Sequence, residues 1–226
     1  MRIEINPDHP EPRKIARAAQ ALRNGECIAY PTDTVYGLGC AIDARRAVDA
    51  LYLMKQMPRT QSLALVVPDL SGIAHFAVVD DFHYRFIKRL VPGPYTFILE
   101  ATREVPKLLM MKRKTIGIRV PAHPIPQALA AELGAPFIST TASHPAEGPE
   151  CIQAPDVIDD RFPMLSMVLD GGWGGAHPSA LSTVSVDRRL RGAARGRSAQ
   201  SPAPTARTPR GWWSGRSTPS RSSCRH

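Results

Sequence analysis

No apolar run in the chain approaches the roughly 18 residues that a membrane span needs. The N-terminus, MRIEINPDHPEPRK, lacks the basic-then-apolar order of a signal peptide. A soluble, cytoplasmic protein with no membrane partner is therefore expected. Cysteine is scarce, with four in 226 residues and no CxxC spacing, which excludes a disulfide framework and points to buried thiols in a reducing compartment. The seven histidines fall at no metal-ligand spacing, so no protein-bound structural metal is expected. GxxxxGK[ST] is absent, and the GLG of residues 37–39 falls well short of GxGxxG. No Ser/His/Asp or Cys/His arrangement suggests nucleophilic catalysis.

Acidic residues are missing from one stretch only. The formal net charge is +9, yet residues 188–226 hold ten Arg and no Lys, Asp or Glu. Residues 1–187 carry 19 basic and 20 acidic residues, so the basic character belongs to the tail. Among Ile, Leu, Val and Met the tail offers only Leu190, too little to offset the entropy of ordering. Three readings compete: a nucleic-acid-binding arm with Trp212 and Trp213 as stacking residues, a plain disordered extension, and out-of-frame translation of a GC-rich gene. The abrupt loss of acidic and aliphatic residues favours the frameshift, then the disordered extension. Charge therefore says little about function, and the near-neutral body argues against strong sequence-independent RNA affinity.

Residues 1–187 read as one domain. Ile15, Ala18, Ala19 and Leu22 recur at helical spacing over residues 11–24, with Gly25 as a stop. Val48, Leu51, Tyr52 and Lys55 share a face of a second helix that closes at Pro58. Further helices are expected over Asp81–Leu90 and Ile125–Leu133. Short apolar runs predict strands at Cys27–Tyr30, Ser62–Val67, Tyr95–Leu99, Thr115–Val120, Pro136–Thr141 and Met164–Leu169. This alternation predicts an α/β fold around a twisted, mixed open sheet with flanking helices.

Three polar segments follow apolar strands or sit within them: Pro31–Thr34, Thr115–Arg119 and Ser139–Ser143. Ligands of α/β sheets bind at strand ends, where loop hydroxyls and backbone N–H groups converge. Hydroxyls at three such places suit an oxygen-rich ligand such as a nucleotide or an amino acid. Arg119 offers a bidentate fork to a carboxylate or phosphate, and Lys55 a second cation. Each residue also has a plain structural reading: Thr32 and Thr34 as turn formers, Gly37 and Gly39 as permissive backbone, Arg119 as a surface ion pair, Lys55 as a solvated helix end.

The segment YPTDTVYGLGC at residues 30–40 resembles the signature of the YrdC/YciO family. MKQMP, PGPYTFIL, KRKTIGIRVP, PFISTTAS and an STV segment at 182–184 follow in the family's order, over roughly residues 10–187. The resemblance implies a YrdC/RibB-like α/β sheet around a large, positively lined cavity. It also implies synthesis of threonylcarbamoyl-adenylate from L-threonine, bicarbonate and ATP, with Mg²⁺ on the nucleotide. That product feeds threonylcarbamoyladenosine modification of tRNA, and the family is also described as binding double-stranded RNA. Carried over residue by residue, Thr34, Arg119, Ser139 and Ser182 match threonine-binding positions, with Ser179 a rival for the last. Lys55, Thr115 and Thr141 match nucleotide positions. No catalytic base is identified, and no pattern sets an oligomeric state.

The departures point to the YciO branch. Met57 and Gln61 stand where K-x-R-P-x-x-K supplies cations for a triphosphate, and Arg59 is displaced by two positions. Val66 replaces a polar residue, and Ser143 an asparagine. Charge-assisted hydrogen bonds contribute about 1.5–3 kcal/mol each, so weak activity is expected. The alternative is a nucleotide- or RNA-binding paralogue without synthase activity.

Overall fold

The computed structural model describes residues 1–61, 63–106, 109, 114–144, 152–175 and 179–183. These residues lie within one unit, Met1–Val186. All three readings of the residue 188–226 tail concern residues outside those described.

Ten strands among the described residues form a mixed sheet. The strands are β1 (Arg2–Glu4), β2 (Ile28–Tyr30), β3 (Gly37–Ala41), β4 (Ala64–Val66), β5 (Ala77–Val78), β6 (Tyr95–Ala101), β7 (Thr115–Arg119), β8 (Phe137–Thr141), β9 (Met167–Asp170) and β10 (Ala180–Thr183). Their order is β1-β9-β2-β3-β8-β4-β7-β6-β10, with β5 paired to the far end of β6. The helices are α1 (Pro12–Arg23), α2 (Arg45–Met54), α3 (Leu70–Phe76), α4 (Asp81–Lys88), α5 (Pro124–Leu133) and α6 (Pro155–Arg161). No helix of the described residues is long and apolar enough to cross a membrane.

Alternation along the strands separates two cores. Leu38, Cys40, Leu65, Ile138, Ile116, Ile118, Phe97 and Leu99 point to one face and pack with residues of α2, α3, α4 and α6. On the other face Ile28, Tyr30, Val66 and Phe137 pack under α1 and α5, through Ile15, Leu22, Ile125 and Leu129. The second cover is incomplete. Ala64, Thr115, Ser139 and Thr141 remain half-buried although they lie on interior strands, so this face carries an open trough.

Local chemistry sets the ends of the helices. Pro12 and Pro124 start α1 and α5, where the missing N–H costs nothing. Asp69 and Asp80 accept from the N–H groups of Gly72 and His83 to cap α3 and α4, and Gly134, at φ 69°, closes α5.

The strand expected at Met164–Leu169 is β9, which begins at Met167 because Pro163–Leu165 form a turn bonded to the end of α6. Residues 37–41, for which no strand was expected, are the interior strand β3. Cys27 and Cys40 are buried and free, as expected; Cys151 and Cys224 lie outside the described residues. A hydrogen bond with Cys27, and then burial, push the Cys40 thiol up.

Candidate functional site

The trough floor is a cross-strand row of residues with little or no side chain. Gly39 pairs with Ser139, Ser139 with Ala64, Ala64 with Gly117, and Gly117 with Ile98. Paired residues share a face, so this row carries little side-chain bulk, and at Gly39 the vacated space is filled by the Tyr30 ring. A Cβ on Gly117 would come within 3.3 Å of Thr96 Cγ2 and 3.5 Å of Ala64 Cβ, which shows how closely the walls approach.

Gly37 and Gly39 serve a further purpose. Neither has a positive φ, so conformational freedom is not the reason for them. A Cβ on Gly37 would sit 2.8 Å from Tyr30 Cζ, and one on Gly39 3.1 Å from Tyr30 Cε1. The Tyr30 ring lies across β3 in the space the two glycines leave, and its hydroxyl donates to Ser139 Oγ at 2.5 Å. Burial pushes the Tyr30 phenol well above its ordinary range.

Arg119 marks one end of the trough. Its Nη2 donates to Asp33 Oδ1 and, at 2.9 Å, to Thr34 Oγ1. Asp33 Oδ2 accepts from the Ala122 N–H at 3.1 Å. Four strand spacings, about 19 Å in a flat sheet, separate β2 from β7. The contact is made by the six-residue connection between β2 and β3 folding toward β7, across a sheet whose twist brings distant strands nearer. Arg119 is not the surface pair that its plain structural reading suggested: both side chains are about nine-tenths buried. Nor is its bidentate fork free, since Nη2 is already shared. Its buried Nε has no hydrogen-bond partner among the described residues.

The Pro31–Thr34 turn divides its two threonines between roles. Thr32 Oγ1 accepts from the Thr34 N–H and donates to the Val35 carbonyl, so it forms the turn. Thr34, buried, places its hydroxyl on Arg119. Glycines from the segment after β9 support the turn. A Cβ on Gly175 would overlap the Thr34 carbonyl at 1.8 Å. The Tyr36 hydroxyl, its pKa pushed to about 12 by burial, donates to the Gly172 carbonyl and accepts from the Gly171 N–H.

Lys55 approaches β8 from the α2 face, on which its partner Thr140, paired with Leu38, also lies. Buried at the C-terminus of α2, it donates from Nζ to Thr140 Oγ1 at 3.0 Å and to the Thr141 carbonyl at 2.5 Å. It is not a solvated helix end. Thr115 lies at the same end of the sheet as Thr141, since Ala64 faces both Ser139 and Gly117 while Thr141 and Thr115 are each two residues further on. About 13 Å of strand separates Thr115 from Arg119. Of the predicted residues, the structure brings Thr34 together with Arg119 and Lys55 together with the Thr141 carbonyl, while Ser139, Thr141 and Thr115 share the trough face. Ser182 takes the register position of Phe97 on β10, whereas the hydroxyl of Ser179 lies 3.2 Å from that of buried Thr96, beside Gly117.

The departures also have definite places. Met57 packs against the larger core, and Val66 is buried in the smaller one. Arg59 pairs with Asp49 at 2.5 Å and lies 5.1 Å over the Tyr52 ring, so it does not reach the trough. The Gln61 carbonyl accepts from the Tyr52 hydroxyl. Sequence reasoning missed Tyr30 and Asp33. The signal for Tyr30 was two glycines spaced by two directly after an apolar strand, a mark of close approach in a sheet.

Residues 20–191 match the model of the Sua5/YciO/YrdC family, described as telomere recombination. Escherichia coli K12 YciO, an uncharacterized protein, is 40% identical over 186 residues, which cover 81% of this chain and 89% of the relative. Its crystal structure superposes with a TM-score of 0.79, covering 83% of this chain and 91% of that one. The threonylcarbamoyl-AMP synthase of Vibrio vulnificus YJ016 is 31% identical over 181 residues, 78% of this chain and 97% of the relative. P. abyssi Sua5 complexed with L-threonine has a TM-score of 0.74 at 25% identity, covering 81% of this chain and 54% of that one. The chain belongs to the Sua5/YciO/YrdC family.

Proposed function

We propose that the chain converts L-threonine, bicarbonate and ATP, taken as its magnesium complex, to threonylcarbamoyl-adenylate and pyrophosphate, for threonylcarbamoyladenosine modification of tRNA. The observation that carries this reading is the pair of buried cations. A guanidinium stands beside a threonine hydroxyl, and an ammonium is held by a threonine hydroxyl and a backbone carbonyl. An amino acid carboxylate suits the first, and a nucleotide phosphate the second. The relatives that are threonylcarbamoyl-AMP synthases, and the Sua5 complex with L-threonine, support the same assignment.

In this reading the threonine carboxylate takes the unpartnered Nε–H of Arg119. The threonine amine bonds to the carbon of bicarbonate with loss of water, giving a carbamate. A carbamate oxygen then bonds to the α-phosphorus as the bond to pyrophosphate breaks. The chain's contribution is to hold both reactants and to neutralise charge.

A second reading, a nucleotide- or RNA-binding paralogue without synthase activity, is favoured by Arg59, which is held on Asp49 and Tyr52, and by Met57, which is packed into the core. Calorimetric titration separates the two. L-threonine binding that is lost for L-threoninol and in Arg119→Ala supports the first reading. Absence of threonine binding by the folded wild type rejects it.

A further inference from the structure

We infer that Tyr30 is a positioning residue for the trough: it occupies a lone pair of Ser139 Oγ, so that Ser139 meets a ligand as a hydrogen-bond donor. The inference rests on the trough being the ligand site.

Three features combine in this arrangement. Tyr30 is fully buried, and its ring crosses β3 where Gly37 and Gly39 leave room. The ring is fixed from its other side by Phe137, whose centroid lies 5.4 Å away in an edge-to-face contact. At the end of this rigid lever the phenol hydroxyl donates to Ser139 Oγ at 2.5 Å. Burial keeps the phenol protonated, so the donor is permanent.

The consequence follows from hydroxyl valence. Serine has one proton and two acceptor lone pairs. With one lone pair filled by Tyr30 from the β3 side, the serine proton is left for the open side, where Ser139 is half-buried on the trough floor next to Ala64. A site built this way prefers a ligand oxygen that accepts, such as a carboxylate, carbamate or phosphate oxygen. It disfavours a ligand group that only donates. Because Tyr30 is fully buried, it acts through the serine and not on the ligand.

Tyr30→Phe keeps the ring and removes only the hydroxyl. We expect Ser139→Ala to weaken L-threonine or ATP binding about tenfold and Tyr30→Phe about three- to tenfold, with the double variant no weaker than Ser139→Ala. Ser139→Thr should bind better than Ser139→Ala in the wild-type background, but not in Tyr30→Phe. Wild-type affinity in Tyr30→Phe, or losses that multiply in the double variant, would overturn the inference. If the wild type binds neither compound, the proposed function fails, and the inference is read without ligand from the Ser139 χ1 couplings by NMR. A single rotamer in the wild type that averages in Tyr30→Phe supports positioning, and an unchanged single rotamer rejects it.

Discussion

Arg119, at the end of β7, and Asp33, in the turn after β2, form an ion pair with both side chains about nine-tenths buried, although four strand spacings separate their strands. The pair joins the two halves of the coiled sheet and fixes the guanidinium beside Thr34. Asp33 is itself held by the Ala122 N–H. Removing one member of a buried pair leaves an uncompensated charge, at a cost of about 3–5 kcal/mol. Asp33→Ala is expected to lose stability in that range in urea unfolding. Asp33→Ala combined with Arg119→Met is expected to recover part of the loss. An additive double variant would contradict the pairing.

The glycines of β3 give a graded prediction. Gly37→Ala places a Cβ 2.8 Å from the Tyr30 ring, which is locked against Phe137, and overpacking of this kind costs about 1–3 kcal/mol. Gly134→Ala meets nothing within 4 Å and carries only the strain of its positive φ, about 1 kcal/mol. Thermal unfolding of the two variants should rank them in that order. Gly37→Ala should also weaken ligand binding, because it moves the ring that reaches Ser139.

That strand also shows where sequence reasoning ended. The helices with apolar residues at regular spacing, α1, α2, α4 and α5, were legible nearly to their ends, as were the apolar strands β2, β4, β6, β7 and β8. β3 was not, because its side chains alternate between nothing and Leu38 or Cys40, and glycine is the residue least associated with strands. β1, β5 and β10 are two to four residues long and show no period. At the site, Thr34, Arg119 and Lys55 were visible as residue types. The partners of Arg119 and Lys55, Asp33 and Thr140, and the placing of Tyr30 on Ser139 depend on the arrangement of the sheet, which no local pattern encodes.

His123 caps α5 by accepting the Ile125 N–H at Nδ1. Burial lowers its pKa, while Asp33 and Asp8 act in the opposite sense. The fold therefore favours the neutral ring, and the unfolded chain takes up the proton more readily. The resulting stability is present above about pH 6.5 and declines as the pH falls through that value toward the lower folded pKa. His123→Asn retains a capping side chain and should flatten this part of the pH–stability curve. An identical pH dependence in the variant would contradict the argument.

Lys55 and Arg59 are expected to behave oppositely. Lys55→Met removes a buried cation from the Thr141 end and should weaken ATP binding at least tenfold, the equivalent of a charge-assisted hydrogen bond. Arg59→Ala breaks only the exposed contacts with Asp49 and Tyr52 and should leave ATP binding within about twofold. Titration of ATP into both variants checks the pair. Equal effects would mean that the phosphate end has been misplaced.

The central claim is tested most directly by pyrophosphate release from the full chain with ATP, bicarbonate and L-threonine, with Arg119→Ala in parallel. The account predicts release that requires L-threonine and is lost in the variant. It also predicts a rise when Met57→Arg and Gln61→Lys are introduced together. No threonine-dependent release from the folded wild type, with or without those two substitutions, would contradict it.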